Sequence, residues 1–107
     1  MNDEIKLTTL TDKTRYIDLS QYADEVTLTG TYKGDRLVFK NASGKTLLLN
    51  HCTIETTRKE SDKNAIAFDG DVKGLELYGI NCTIVGGVVF WGELHATKIQ
   101  SLNIYYA

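Results

Sequence analysis

Apolar and polar residues alternate along most of this chain in short runs. Val26-Thr27-Leu28, Leu37-Val38-Phe39, Leu47-Leu48-Leu49, Cys52-Thr53-Ile54, Ile66-Ala67-Phe68, Leu75-Glu76-Leu77, Cys82-Thr83-Ile84, Val88-Val89-Phe90 and Leu102-Asn103-Ile104 each set two apolar side chains two positions apart. That spacing puts both on one face of a strand. Gly, Asn and Asp separate the runs, and these residues suit turns. The best helical signal is the stretch 19–25, one or two turns with Ser20 as N-cap. The pattern therefore predicts an all-β chain of very short strands.

The runs also repeat. Leu37-Val38-Phe39-Lys40-Asn41-Ala42 leads to Leu47-Leu48-Leu49 and His51-Cys52-Thr53-Ile54. Ile66-Ala67-Phe68-Asp69-Gly70-Asp71 leads to Leu75-Glu76-Leu77 and Asn81-Cys82-Thr83-Ile84. Val88-Val89-Phe90-Trp91-Gly92-Glu93 leads to Leu94-His95-Ala96 and Ser101-Leu102-Asn103-Ile104. Phe39, Phe68 and Phe90 fall in register, 29 and 22 residues apart. The longer interval is absorbed by residues 55–64, which hold no apolar side chain and read as a loop inserted at one corner. Three short strands per repeat of this length is the pattern of a solenoid.

The phrases Leu49-Asn50-His51-Cys52-Thr53-Ile54 and Gly79-Ile80-Asn81-Cys82-Thr83-Ile84, followed after a turn by Ala65-Ile66-Ala67-Phe68-Asp69-Gly70 or Gly87-Val88-Val89-Phe90-Trp91-Gly92, resemble the rungs of the right-handed parallel β-helix, the pectate-lyase-like superfamily. The resemblance covers about residues 35–107 and implies a right-handed parallel β-helix of about three to four rungs. Residues 1–107 then form a single domain, with three repeats in 35–107. Residues 1–30 supply a cap and a degenerate first rung (Tyr16-Ile17-Asp18-Leu19, Val26-Thr27-Leu28), and 1–14 are a cap or arm. The rival is an antiparallel sandwich or small barrel. An immunoglobulin-type sandwich wants Trp between its cysteines, whereas Trp91 follows both, and the in-register repeat favours the solenoid.

Alternation then sorts side chains inward and outward. The expected interior columns are Phe39/Phe68/Phe90, Cys52/Cys82/Leu102 and Ile54/Ile84/Ile104, stacked about 4.8 Å apart. Stacked thiols run parallel rather than toward each other, so Cys52 and Cys82 are expected as buried free thiols. Val38, Ala67 and Val89 should face outward, with Trp91 beyond them. An apolar stripe of that kind suits a partner surface, unless residues 1–14 or 55–64 fold over it. Tyr105 and Tyr106 follow the last rung without an amphipathic cap, which points to association through the terminal rung.

Composition narrows the function classes. The chain has 107 residues, 42% of them hydrophobic and 24% charged, as in an ordinary soluble domain. Twelve basic against fourteen acidic residues leave a net charge of -2, which opposes binding to nucleic acid through its phosphates. Six tyrosines and Trp91 therefore lack the cationic groove that a single strand requires. The charged start, Met1-Asn2-Asp3-Glu4-Ile5-Lys6, is no signal peptide, and no apolar run is long enough to span a bilayer. The expectation is a cytoplasmic protein without a membrane partner, or a virion or extracellular one if the chain is a piece of something larger.

Candidate chemistry is thin. Asp71 and Glu93 hold matching positions in consecutive rungs. Two carboxylates so placed would repel and raise one pKa, at a spacing near that of a retaining glycosidase pair. Trp91 beside them could stack on a sugar ring, so Asp69, Asp71, Trp91 and Glu93 form a candidate carbohydrate site, with Lys73 and His95 nearby. Two solvated turn carboxylates explain the same residues more simply. The resemblance implies that lyase sites place Arg or Lys on rungs adjacent to acidic residues. Arginine occurs only at Arg15, Arg36 and Arg58, none in the column beside Asp69 and Asp71, which counts against a lyase. Asp69-Gly70-Asp71 lacks the further oxygen ligands of a calcium loop and reads as a turn. His51 and His95 should point outward while the thiols point in, so no zinc site forms. Ser43-Gly44-Lys45-Thr46 lacks the earlier glycine of a phosphate loop, a position held by Phe39. No metal, cofactor or catalytic residue is expected. The preferred function is a non-catalytic binding or assembly protein that presents a rigid β-helical surface to a protein partner or to another copy, such as a phage or bacterial accessory or inhibitor protein. Its partner-binding residues would be Val38, Ala67, Val89, Trp91, Tyr105 and Tyr106. The alternative is a carbohydrate-binding or polysaccharide-degrading module of lyase or tailspike type.

Overall fold

The computed structural model describes residues 2–10, 13–59, 62–95, 98–100 and 103–105, with the side chains at 9, 10 and 103–105 outside that description. The chain is a parallel β-solenoid of about 4 turns, 67% strand and 3% helix. The first turn holds β1 (Asn2–Leu10), β2 (Arg15–Asp18) and a single 3-10 turn (Leu19–Gln21). β3 (Glu25–Gly34) and β4 (Leu37–Lys40) form the second. The third comprises β5 (Thr46–Thr56), β6 (Asn64–Asp69) and β7 (Val72–Lys73). β8 (Glu76–Ile80), β9 (Thr83–Val85), β10 (Gly87–Phe90) and β11 (Leu94–His95) follow, and then β12 (Lys98–Gln100) and β13 (Asn103–Tyr105).

One sheet runs β1-β3-β5-β8-β12, with β9 also on β5 and β13 on β9; a second runs β10-β6-β4-β2; β7 and β11 make a third. Every pairing is parallel, which rules out the antiparallel sandwich.

The aromatic spine forms as the repeat predicts. Phe39 pairs with Phe68 and Phe68 with Phe90. Their ring centres lie 5.3 and 4.8 Å apart, in near-parallel stacks at 24° and 9°. Cys52 and Cys82 are buried and unbridged. Ile54 pairs with Ile84, and that column continues to Tyr32, which is buried although the sequence pattern did not single it out. The Tyr32 hydroxyl accepts the Arg36 N–H at 3.1 Å and lies 2.8 Å from the Arg36 carbonyl. A buried phenol is stable in a core when its hydroxyl is satisfied in this way. Leu102 lies outside the described residues, as does the Ile104 side chain, although Ile104 pairs with Ile84 through its backbone.

Several boundaries differ from the sequence pattern. The expected cap or arm at 1–14 takes the form of a strand: β1 pairs with β3 along its whole length. The helical signal at 19–25 yields only the 3-10 turn, and its N-cap is Asp18, whose carboxylate accepts the Ser20 N–H at 3.0 Å. Leu47–Leu49 and Cys52–Ile54 belong to one strand bent at His51, which has φ 54°. Leu94 pairs with Val72, and Ile99 takes the place opposite Leu77 that the repeat gave to the stretch 94–96. Gly30 turns the corresponding corner of the second turn at φ 97°, where a Cβ would stand 2.1 Å from the Leu7 carbonyl oxygen. Only glycine fits there.

Candidate functional site

The outer face of the second sheet is covered rather than open. Val38 and Ala67 are 1% and 0% exposed, so they are not surface residues and cannot touch a partner directly. Alternation did place them off the main core cluster. What hides them comes from outside the strands. The Arg36 guanidinium lies 5.2 Å from the centre of the Trp91 ring. Arg36 precedes β4, Trp91 follows β10, and β6 lies between, so this cation–π contact crosses the strand that carries Ala67. On the far side, Tyr16 pairs with Val38, and its ring sits under the Lys40 ammonium. Val89 is half-buried, and Trp91 keeps half its surface.

The inserted loop fixes this arrangement. Arg36 is itself buried, and donates to the Asn64 carbonyl at 3.1 Å, the Asp62 carbonyl at 3.0 Å and the Asp62 carboxylate at 3.2 Å. Arg58 bridges Asp35 at 2.8 Å and Asp62 at 3.3 Å. Hydrogen bonds from Arg36 and then Arg58 hold the Asp62 carboxyl below its ordinary pKa. Asp62 and Asn64 thus anchor the guanidinium that meets Trp91. The same corner forms a half-open pocket of about 490 Å³ lined by Lys33, Glu55, Arg58, Lys59 and Lys63, with Val85 and Gly86 behind. The mixed charge of the insertion was the only signal for it.

The four candidate sugar residues are divided. Asp69 and Asp71 line a polar depression of about 440 Å³ with Ser20, Asn41, Ser43 and Lys45, and neither Trp91 nor Glu93 lines it. The Asp71 carboxylate accepts the Glu93 N–H at 2.9 Å, which joins consecutive turns. The Glu93 carboxylate lies 3.1 Å from His95. Each acid therefore serves a separate local contact. His51 is 2.6 Å from the Asn50 side chain and 3.1 Å from that of Asn81, stacking two left-handed corner residues. Among the described residues, no three His, Cys, Asp or Glu side chains are gathered to hold a metal. Burial pushes the Cys52 thiol up to about 11 and the Cys82 thiol up to about 12, far from reactive thiolates.

Exposed large apolar side chains occur in several turns: Tyr16 is 62% and Ile80 50% exposed, and the last described turn adds a group of three. Leu94 is 45% and Ile99 44% exposed, near Trp91 at 50%, while Val88 and Phe90 are only partly buried. In the first turn Ile5, Leu7, Ile17 and Leu19 are buried, none above 6% exposed, while Tyr16 on the outer face is exposed. The sequence expectation placed the terminal contact on Tyr105 and Tyr106. Tyr106 and the Tyr105 side chain lie outside the described residues. Among the described residues, no helix is long and apolar enough to cross a membrane.

The chain matches no protein-family model, no curated protein and no solved structure.

Proposed function

We propose that this chain is a non-catalytic binding and assembly protein whose docking surface is the exposed apolar edge of its last turn, centred on Trp91, Leu94 and Ile99. The observation that carries this reading is the exposure of three apolar side chains, Trp91, Leu94 and Ile99, within nine residues of the chain. Apolar side chains held in water gain by being buried against a partner. Trp91 lies partly pre-fixed by Arg36, so little side-chain freedom is lost when it is buried. A phage or bacterial accessory or inhibitor protein fits this use of a rigid scaffold, and so does a cytoplasmic setting. The finer family reading, the right-handed pectate-lyase-like superfamily, draws support from the stacked corner residues His51 and Asn81 and from the phenylalanine spine. The test is retention of a binding partner, whether a second copy or another protein, by immobilised chain. Wild type retains it and Leu94→Lys loses it, with both folds intact by circular dichroism. Equal retention by the two overturns the proposal.

A second reading, carbohydrate binding, rests on the polar depression lined by Asp69, Asp71, Asn41 and Ser43. Hydrogen-bonding groups around a shallow hollow suit a sugar edge, but no exposed aromatic lines it. A glycan array distinguishes the two: hits abolished by Asp69→Ala support this reading, and an empty array removes it.

A further inference from the structure

We propose that the pocket at the inserted loop binds a phosphomonoester with an apolar organic part, at a site separate from the docking surface at Trp91. The pocket stands on the outer face of the first sheet. Lys33, Glu55 and Val85 lie opposite one another on β3, β5 and β9. They alternate with the buried Tyr32, Ile54 and Ile84, so their side chains face away from the core. The inserted loop adds Arg58, Lys59 and Lys63 as a wall, around about 490 Å³. Small-molecule sites occupy roughly 300–1,000 Å³. The fold does not require this loop. Phe39 to Phe68 takes 29 residues and Phe68 to Phe90 takes 22, yet both steps end with the rings stacked. Loops added to a rigid scaffold are where binding groups collect.

Both limbs of the loop are tied to the solenoid. The Thr57 N–H donates to the Gly34 carbonyl, the Thr56 hydroxyl to the Asp35 carbonyl and the Gly87 N–H to the Lys63 carbonyl, each at 2.8 Å. The Arg58 guanidinium serves the same end, 2.8 Å from Asp35 and 3.3 Å from Asp62. A wall fixed before the ligand arrives loses little freedom on binding. The lysines supply the charge. Among the described lining residues, Lys33, Lys59 and Lys63 stand with the carboxylate of Glu55, an excess of two positive charges in a chain whose total is -2. Glu60, also in the loop, lies outside the described residues. Lys33 and Glu55 are 3.7 Å apart and both open to water, a weak pairing that a doubly charged anion can displace. A phosphomonoester carries nearly two negative charges at neutral pH, which matches the excess; a carboxylate carries one. Lysine ammonium groups suit phosphate as point charges. Val85, the Thr56 methyl and the lysine stems offer the rest of the ligand an apolar surface.

Amide NMR of the full chain tests this by titration at constant ionic strength with phenyl phosphate, inorganic phosphate and benzyl alcohol. Phenyl phosphate should bind saturably and shift the amides of Glu55, Arg58, Val85 and Gly86, with little change in β1. Inorganic phosphate should move the same amides with about tenfold weaker affinity, because it has no apolar part to bury. Benzyl alcohol, which has no charge, should move none. Lys59→Gln and Lys63→Gln should each weaken phenyl phosphate about tenfold, and Glu55→Gln should tighten it. Lys6→Gln removes an equal charge from exposed β1 and should leave the affinity unchanged. The spectrum away from the pocket reports that each variant is folded. No saturable shift up to about 10 mM, shifts spread over lysines all round the molecule, or the same loss in Lys6→Gln as in Lys59→Gln would each overturn the proposal. Equal affinity for the two phosphates would overturn its apolar half.

Discussion

At the N-terminal end of this solenoid, Ile5, Leu7, Ile17 and Leu19 are buried, and the inward column above them stops at Asp3, whose carboxylate holds the Ala23 amide. At the C-terminal end the same kind of turn leaves Leu94 and Ile99 nearly half in water, and Phe90 covers only one side of the aromatic stack. The repeat is shared; the finish differs. Hydrophobic stacking alone would make both ends adhesive, since every turn offers its neighbour the same apolar columns.

The sharpest way to break the comparison is a matched pair of truncations. Leu7→Ala empties a buried site of the first turn and should cost about 2–5 kcal/mol. Leu94→Ala, half-exposed on the last turn, should cost below about 1 kcal/mol in the monomer. Urea unfolding of both variants at low protein concentration checks this, and equal losses would erase the asymmetry. Gly30→Ala attacks the joint between the first two turns. Its Cβ would stand 2.1 Å from the Leu7 carbonyl oxygen at a φ of 97°. A loss of about 1–3 kcal/mol is expected, with faster hydrogen exchange in β1 and little change in β12.

The thiols lie between the ends and report on the whole fold. Their folded pKa values, about 11 for Cys52 and about 12 for Cys82, stand above the ordinary 9.0 because burial disfavours the thiolate. A raised folded pKa contributes stability that is complete below pH 9 and is lost as pH climbs toward 11–12. Thermal unfolding between pH 8 and 11 should show a decline that is shallower in the Cys52→Ala/Cys82→Ala double variant. The smallest effect belongs to the side loop. The Asp62 pKa is lowered, chiefly by its hydrogen bond from Arg36. Its contribution is complete above the ordinary carboxylate value of 3.8 and is lost as pH falls below that through the lowered folded value. In Asp62→Asn the acid limb of a stability–pH curve should flatten slightly, with Trp91 fluorescence reporting any release of the Arg36 stack.

The middle of the molecule was legible in the sequence and its edges were less so. Phe39, Phe68 and Phe90 repeat in identity and context, so their register could be read directly. The strand at Asn2–Leu10 escaped because Asp3 and Gly30 interrupt columns that are otherwise apolar, and an interrupted column does not look like a repeat. The last turn slipped because Leu94 sits where a repeat of constant length would put the strand, whereas Ile99 fills the column. Alternation sent Val38 and Ala67 to the correct side of their strands. Their burial could not be read, because the covering side chains, Arg36 and Trp91, flank the strands and meet across β6. The candidate sugar residues looked contiguous along the chain, but the turn geometry sends Asp69 and Asp71 to one hollow and leaves Trp91 and Glu93 outside it.

Residue-resolved hydrogen exchange tests the unequal burial of the two turns most directly. The account predicts that amides of Lys98–Gln100 exchange faster than those of β1, where Ile5 and Leu7 are buried. Equal exchange in the two strands, or slower exchange in Lys98–Gln100, would contradict it.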